Sequence, residues 1–145
     1  MGSLTRRCLY TAAAMLLAGV LTGLTLLIRR DLFGISPAPL LVSAHAHLLL
    51  AGTLFQVVFG VALWMFPRPQ GDRDAGVTAG FLAWWALTIG TVARAAAEIF
   101  MSMASHPDVR VFAVVGGSLQ VVGMALAILA LRPRVRASMD KTRRT

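Results

Sequence analysis

The sequence predicts an all-α membrane protein: one four-transmembrane-helix bundle with both termini cytoplasmic. Three observations predict it. The 145 residues are 57% hydrophobic and only 14% charged, with a mean hydropathy of +0.74. That is too apolar for a soluble domain of this size, which exposes much of its surface. Four stretches reach the roughly 20 apolar residues that a helix needs to cross about 30 Å of hydrocarbon. The basic residues fall between and beyond those stretches, as topology signals do.

The first span is expected at about 8–28, "CLYTAAAMLLAGVLTGLTLLI". It is longer than the apolar core of a signal peptide, and "IRRDLF" follows without a small-x-small cleavage site, so a retained helix is expected. Arg6 stands where a myristoylation signal requires Ser or Thr, so no lipid anchor is expected at Gly2. Within this span Gly19 and Gly23 form a GxxxG pattern suited to close helix packing.

"RRDLFGISPAP" separates it from the second span, 39–66, and "PRPQGDRDAG" separates that from the third, 76–103. "SHPD" precedes the fourth, 109–131, and a basic cytoplasmic tail occupies 132–145. Pro, Gly, Asp and Arg in these connections mark turns. "AVVGG" and Gly123 give the fourth span a small-residue face. Backbone groups in lipid must bond internally, so the spans are helices, and short connections make neighbours antiparallel.

One side of the membrane receives Arg6 and Arg7, Arg68 and Arg73, and the six basic residues of the tail. The other receives Arg29, Arg30 and Arg110, and Arg94 lies within a span. The positive-inside rule therefore puts both termini in the cytoplasm. A net charge of +8 distributed this way excludes a nucleic-acid-binding face, and the tail is expected to be a solvated topology signal touching anionic lipid. The single Cys8 excludes an intrachain disulfide framework.

Ionisable residues within a span cost about 2.5–3.5 kcal/mol each on insertion scales, so each needs a reason. "LVSAHAHLLLAGTLFQVVFGVALWMFPR" carries His45 and His47 near the outer start of the second span. The third span runs the other way, which brings Glu98 to similar depth with Arg94 one turn deeper, and His106 falls in the adjoining outer loop. Arg94 and Glu98, at i,i+4, can neutralise each other to permit insertion. Alternatively, Arg94 binds a carboxylate through its planar fork while Glu98 holds it or relays protons. Residues i and i+2 point about 200° apart on a helix, so the two histidines cannot readily chelate one ion. His45 is expected on a face with Leu48, Leu49, Gly52, Gln56 and Phe59, where Gly52 leaves room for a flat macrocycle. His47 is expected to face Leu50, Ala51 and Leu54.

These residues resemble the second helix of subunit I of the haem-copper oxidases and nitric oxide reductases, and more closely its small four-helix relatives. In this resemblance His45 takes the place of an axial ligand of the low-spin haem, followed by Gly60, Trp64 and Pro67. It covers about 28 of the 145 residues. No helix here corresponds to those that carry the copper ligands, the second-haem ligands or the second low-spin ligand. It implies haem b with iron on His45, a pocket drawing on His47, Gly52, Arg94, Glu98 and His106, and no oxidase activity of the chain alone. His106, Met101, Met103 or a residue of a neighbouring subunit are the candidates for a second ligand, with a five-coordinate iron as the alternative.

The expected function is membrane haem b binding for electron transfer, haem handling or gas sensing. The location is a bacterial-type inner (plasma) membrane, with a respiratory-chain or haem-handling partner and a homo-oligomer as expected associations. The alternatives are a small transporter or proton-relay subunit using His47, Arg94 and Glu98, or a structural or assembly subunit of a respiratory complex. Topology is directly testable. In a Cys8→Ser background, Ser105→Cys should label from outside and Ser138→Cys from inside; reversed accessibility would overturn the orientation.

Overall fold

The computed structural model describes residues 2–66, 76–103 and 107–142. It is helical, with no strand among the described residues. Helix α1 spans Ser3–Asp31, α2 Pro39–Met65, α3 Val77–Met103 and α4 Arg110–Thr142, preceded by a single 3-10 turn over Pro107–Val109. All four are long and apolar enough to cross a membrane, so the chain has the architecture of a multi-pass membrane protein.

Local sequence explains most boundaries. Arg29 and Arg30 occupy the last turn of α1, where cations complement the helix dipole. Pro39 opens α2 at a position where its missing N–H has no intrahelical role. Gly76, just before α3, has φ +76, and a Cβ there would stand 2.5 Å from the Ala130 carbonyl oxygen. Only glycine fits both the backbone conformation and the space.

Two features depart from the sequence-based expectation. First, α2 is not uniform: Leu48–Phe55 form a π-helical segment between α-helical Pro39–His47 and Gln56–Met65. Its wider turn carries hydrogen bonds five residues apart, and the Thr53 hydroxyl likewise donates to the Leu48 carbonyl at 2.9 Å. The segment rotates the residues after His47 away from an ideal 3.6-residue register. Second, the fourth helix continues past Leu131 and Pro133 to Thr142, where a basic tail was expected. Arg134 is accordingly buried and donates from Nη1 to the carbonyls of Leu63 and Phe66, at 3.0 and 3.2 Å. It satisfies the orphan carbonyls at the end of α2.

The core has two unequal halves. At the Arg134 end all four helices meet around Cys8, Phe59, Leu63, Ala83, Trp84, Ala127 and Ala130. At the Glu98 end only α1, α2 and α3 share a cluster, formed by Met15, Ala44, Leu48 and Ala95. Polar cross-links run between the helices at intermediate levels. The fully buried Gln56 accepts from the Thr11 hydroxyl at 2.5 Å and donates to Thr88 at 3.3 Å, while Trp84 donates to Thr11 at 3.2 Å. Gln120 donates to Thr91 at 3.1 Å, tying α4 to α3.

The seam between α3 and α4 is built on glycine. A Cβ at Gly116 would stand 2.7 Å from both the Gly90 carbonyl oxygen and the Arg94 nitrogen, and one at Gly123 would stand 2.9 Å from the Leu87 nitrogen. Backbone atoms cannot move aside as a flexible side chain can. Gly116→Ala should therefore destabilise the bundle by about 1–3 kcal/mol, the usual cost of overpacking. Gly2→Ala, which meets nothing within 4 Å, should be neutral. Thermal unfolding in detergent followed by circular dichroism measures both.

Candidate functional site

The two histidines of α2 occupy different environments. His45 turns towards α1, where its Nδ1–H donates to the Gly19 carbonyl at 2.8 Å. A ring nitrogen facing a carbonyl must carry the proton, which leaves Nε2 with its lone pair. The ring lies against Gly23, where a Cβ would come within 2.7 Å of the imidazole Cε1. The GxxxG pattern of α1 is thus a seat for His45: Gly19 offers a carbonyl and Gly23 offers space. Gly52 does not face an open slot. Met15 from α1 and Thr91 from α3 close over it, at 3.0 and 2.9 Å from the position of a Cβ. The expected macrocycle space beside Gly52 is filled by neighbouring helices, because the π segment brings this part of α2 into the three-helix core.

His47 looks the other way, into a cleft of about 540 Å³. The cleft exists because α4 packs on α3 without closing against α2 at this level. Leu50, Leu54 and Val58 of α2 form one wall, with Gly117, Val121 and Met124 of α4 opposite and Arg94 of α3 between them. The lining is predominantly apolar, and its volume falls in the range of about 300–1,000 Å³ typical of small-ligand sites. A shallower groove on the outer side of Arg94, bounded by Ala113, Val114 and Ser118, shares the same guanidinium.

Arg94 and Glu98 form the expected i,i+4 pair, with Nε 3.1 Å from Oε1. The Ser43 hydroxyl of α2 donates to the same Oε1 at 2.9 Å. Glu98 is buried and its Oε2 has no hydrogen-bond partner among the described residues. Arg94 uses only Nε in the pair. Its Nη1 lies beside Gly117, where a Cβ would stand 2.8 Å away, so the consecutive glycines divide the work. Gly116 admits the α3 backbone and Gly117 admits the guanidinium.

Among the residues expected at a site, His47 and Arg94 line one cleft, Glu98 joins them through Arg94, and His45 and Gly52 pack into helix contacts. His106 and Pro67 lie outside the described residues. Trp64 is exposed, and Gly60 packs against Cys8. Ser43 was not singled out from the sequence. Its i−4 relation to His47 was the available signal, since it places a hydroxyl on the same helix face one turn away. Gln120, which also lines the cleft, carried no local signal. No group of three or more His, Cys, Asp or Glu side chains suited to a bare metal ion occurs among the described residues. Comparison of the chain with protein families, curated proteins and solved structures finds no match.

The His45 seat makes a quantitative prediction. Interhelical hydrogen bonds in membranes contribute about 0.6–1.7 kcal/mol. His45→Ala should lower stability by an amount of that order, measured by unfolding in mixed detergent. An unchanged stability would mean that the Gly19 bond does not hold α1 to α2.

Proposed function

We propose that the chain is a membrane-embedded haem b-binding protein serving electron transfer, haem handling or gas sensing, with the cofactor in the cleft between α2 and α4. The observation that carries this reading is the donor set of that cleft. An imidazole, and a guanidinium whose Nη atoms have no hydrogen-bond partner among the described residues, face a predominantly apolar space of about 540 Å³. An amphiphilic iron porphyrin has the matching parts: an apolar ring, a metal that accepts imidazole and carboxylates that accept from arginine.

In this reading His47, and not His45, would hold the iron, because His47 lines the cleft while the His45 ring packs against α1 at Gly23. Arg94 would hold a propionate through its Nη donors, with its Nε on Glu98. The aliphatic walls keep water from the ring and so favour retention. Bound haem would supply one-electron chemistry or a gas-binding iron. Of the expected second ligands, Met101 and Met103 do not line the cleft. Under the positive-inside orientation His47 and Arg94 lie in the outer half of their spans, in a bacterial-type inner membrane. A transporter is less well supported, since such sites use helices whose backbone is opened to a ligand, and the π segment of α2 keeps its hydrogen bonds within the helix.

Absorption spectroscopy tests the assignment. The purified wild type, reconstituted with haem, should show a Soret band. His47→Ala should lose it and His45→Ala should keep it. Arg94→Leu should weaken haem retention about tenfold or more, in line with the roughly 1.5–3 kcal/mol of a hydrogen bond to a charged group. A wild type that binds no haem would remove the proposal, and exchanged histidine phenotypes would return the iron to the α1-facing side of α2.

A further inference from the structure

We infer that Glu98 is a proton-accepting site coupled to the cleft: it takes up one proton from solvent when a carboxylate of the bound ligand engages Arg94. The inference rests on the reading that the cleft holds a ring bearing carboxylates at Arg94.

Its basis is the lopsided pairing of Glu98. Both donors, Ser43 Oγ–H and Arg94 Nε–H, converge on Oε1, at 2.9 and 3.1 Å. Oε2 is buried and bare among the described residues, in a side chain only 5% exposed. A carboxylate with one unsolvated oxygen in an apolar slab persists only because the neighbouring guanidinium cancels its charge. The remaining Nη donors of that guanidinium face the opening beside Gly117. When they take a second carboxylate, one cation is shared between two anions, and the site holds a net negative charge where water is scarce. Protonation at Oε2 removes that charge and leaves both hydrogen bonds to Oε1 in place. Glu98 carboxylate and one solvent proton become the neutral acid, and the ligand carboxylate inherits the cation.

Of the other ionisable groups, His45 on α2 turns its ring to the Gly19 carbonyl of α1 and does not line the cleft. Arg94 on α3 is already protonated, Ser43 on α2 is a neutral hydroxyl, and His47 on α2 has its lone pair committed when it ligates a metal. The ionisable side chains nearest this level on the other two helices stand at helix ends. They are Arg29, Arg30 and Asp31 on α1, the last two paired at 2.7 Å, and Arg110 on α4 with Asp108 before it.

The probe is zinc protoporphyrin IX, whose ring and metal together carry no net charge, compared with its dimethyl ester, which has no carboxylate. Each is added to the full chain in detergent, in weak buffer with a pH-indicator dye, at a pH where the free propionates are ionised. The wild type should take up about one proton per zinc protoporphyrin bound and none with the ester. Glu98→Gln should bind the acid with little or no uptake. Wild-type affinity for the acid should fall by up to about tenfold per pH unit over the pH range where uptake is observed, while affinity for the ester stays flat. Binding of the acid without uptake, or equal uptake in wild type and Glu98→Gln, overturns the inference and leaves the cleft reading intact. Should Glu98→Gln not fold, equal uptake for acid and ester by the wild type overturns it. Failure of the wild type to bind either probe overturns both.

Discussion

Helices in a bilayer gain nothing by hiding apolar side chains from one another, since lipid is as apolar as they are. Association then depends on close backbone approach and on polar groups with no better partner than the next helix. The bundle uses both devices on α3. Gly90 and Gly116 bring α3 and α4 into backbone contact, with Gly123 against Leu87 further along the same seam. Gln120 on Thr91 and Gln56 on Thr88 are the polar bonds that fix rotation and level. Because α4 is drawn so tightly onto α3, it does not close against α2 at the His47 level. The cleft follows from that closeness.

The asymmetry decides which imidazole is accessible. His45 and His47 are separated by little more than half a turn, so one must face α1 and the other the gap beside α4. The α1-facing ring meets a carbonyl and two glycines, and becomes part of the helix contact. The other meets aliphatic side chains and a guanidinium. Identical residues two positions apart thereby receive a packed and a cleft-lining environment, without any difference in their intrinsic chemistry.

Arg94 links the packing to the site. Its backbone lies under Gly116 and its guanidinium beside Gly117, so the residues that hold α4 in place also define where the cation sits. Glu98 and Ser43 restrain the Nε side, leaving the Nη side directed outward. The cation is thus neutralised on one side and, among the described residues, has no hydrogen-bond partner on the other. The same geometry leaves Glu98 Oε2 without a partner among the described residues.

The sequence by itself determined the four spans, since span length and hydropathy are local quantities set by the thickness of the hydrocarbon. It also determined the Arg94–Glu98 pair, because i,i+4 spacing guarantees adjacency on a helix. The end of α4 was not legible: apolarity stops at Leu131, but the helix continues because Arg134 finds carbonyls at the end of α2. Nor was the environment of Gly52 legible. A missing side chain marks a place of close approach without saying what approaches, and here it is Met15 and Thr91. Which face of α2 stays open depends on where α1 and α4 lie, on the π segment that shifts the register after His47, and on glycine contacts more than forty residues away in sequence. Only the tertiary structure decided that, because openness belongs to the arrangement of helices and not to any one of them.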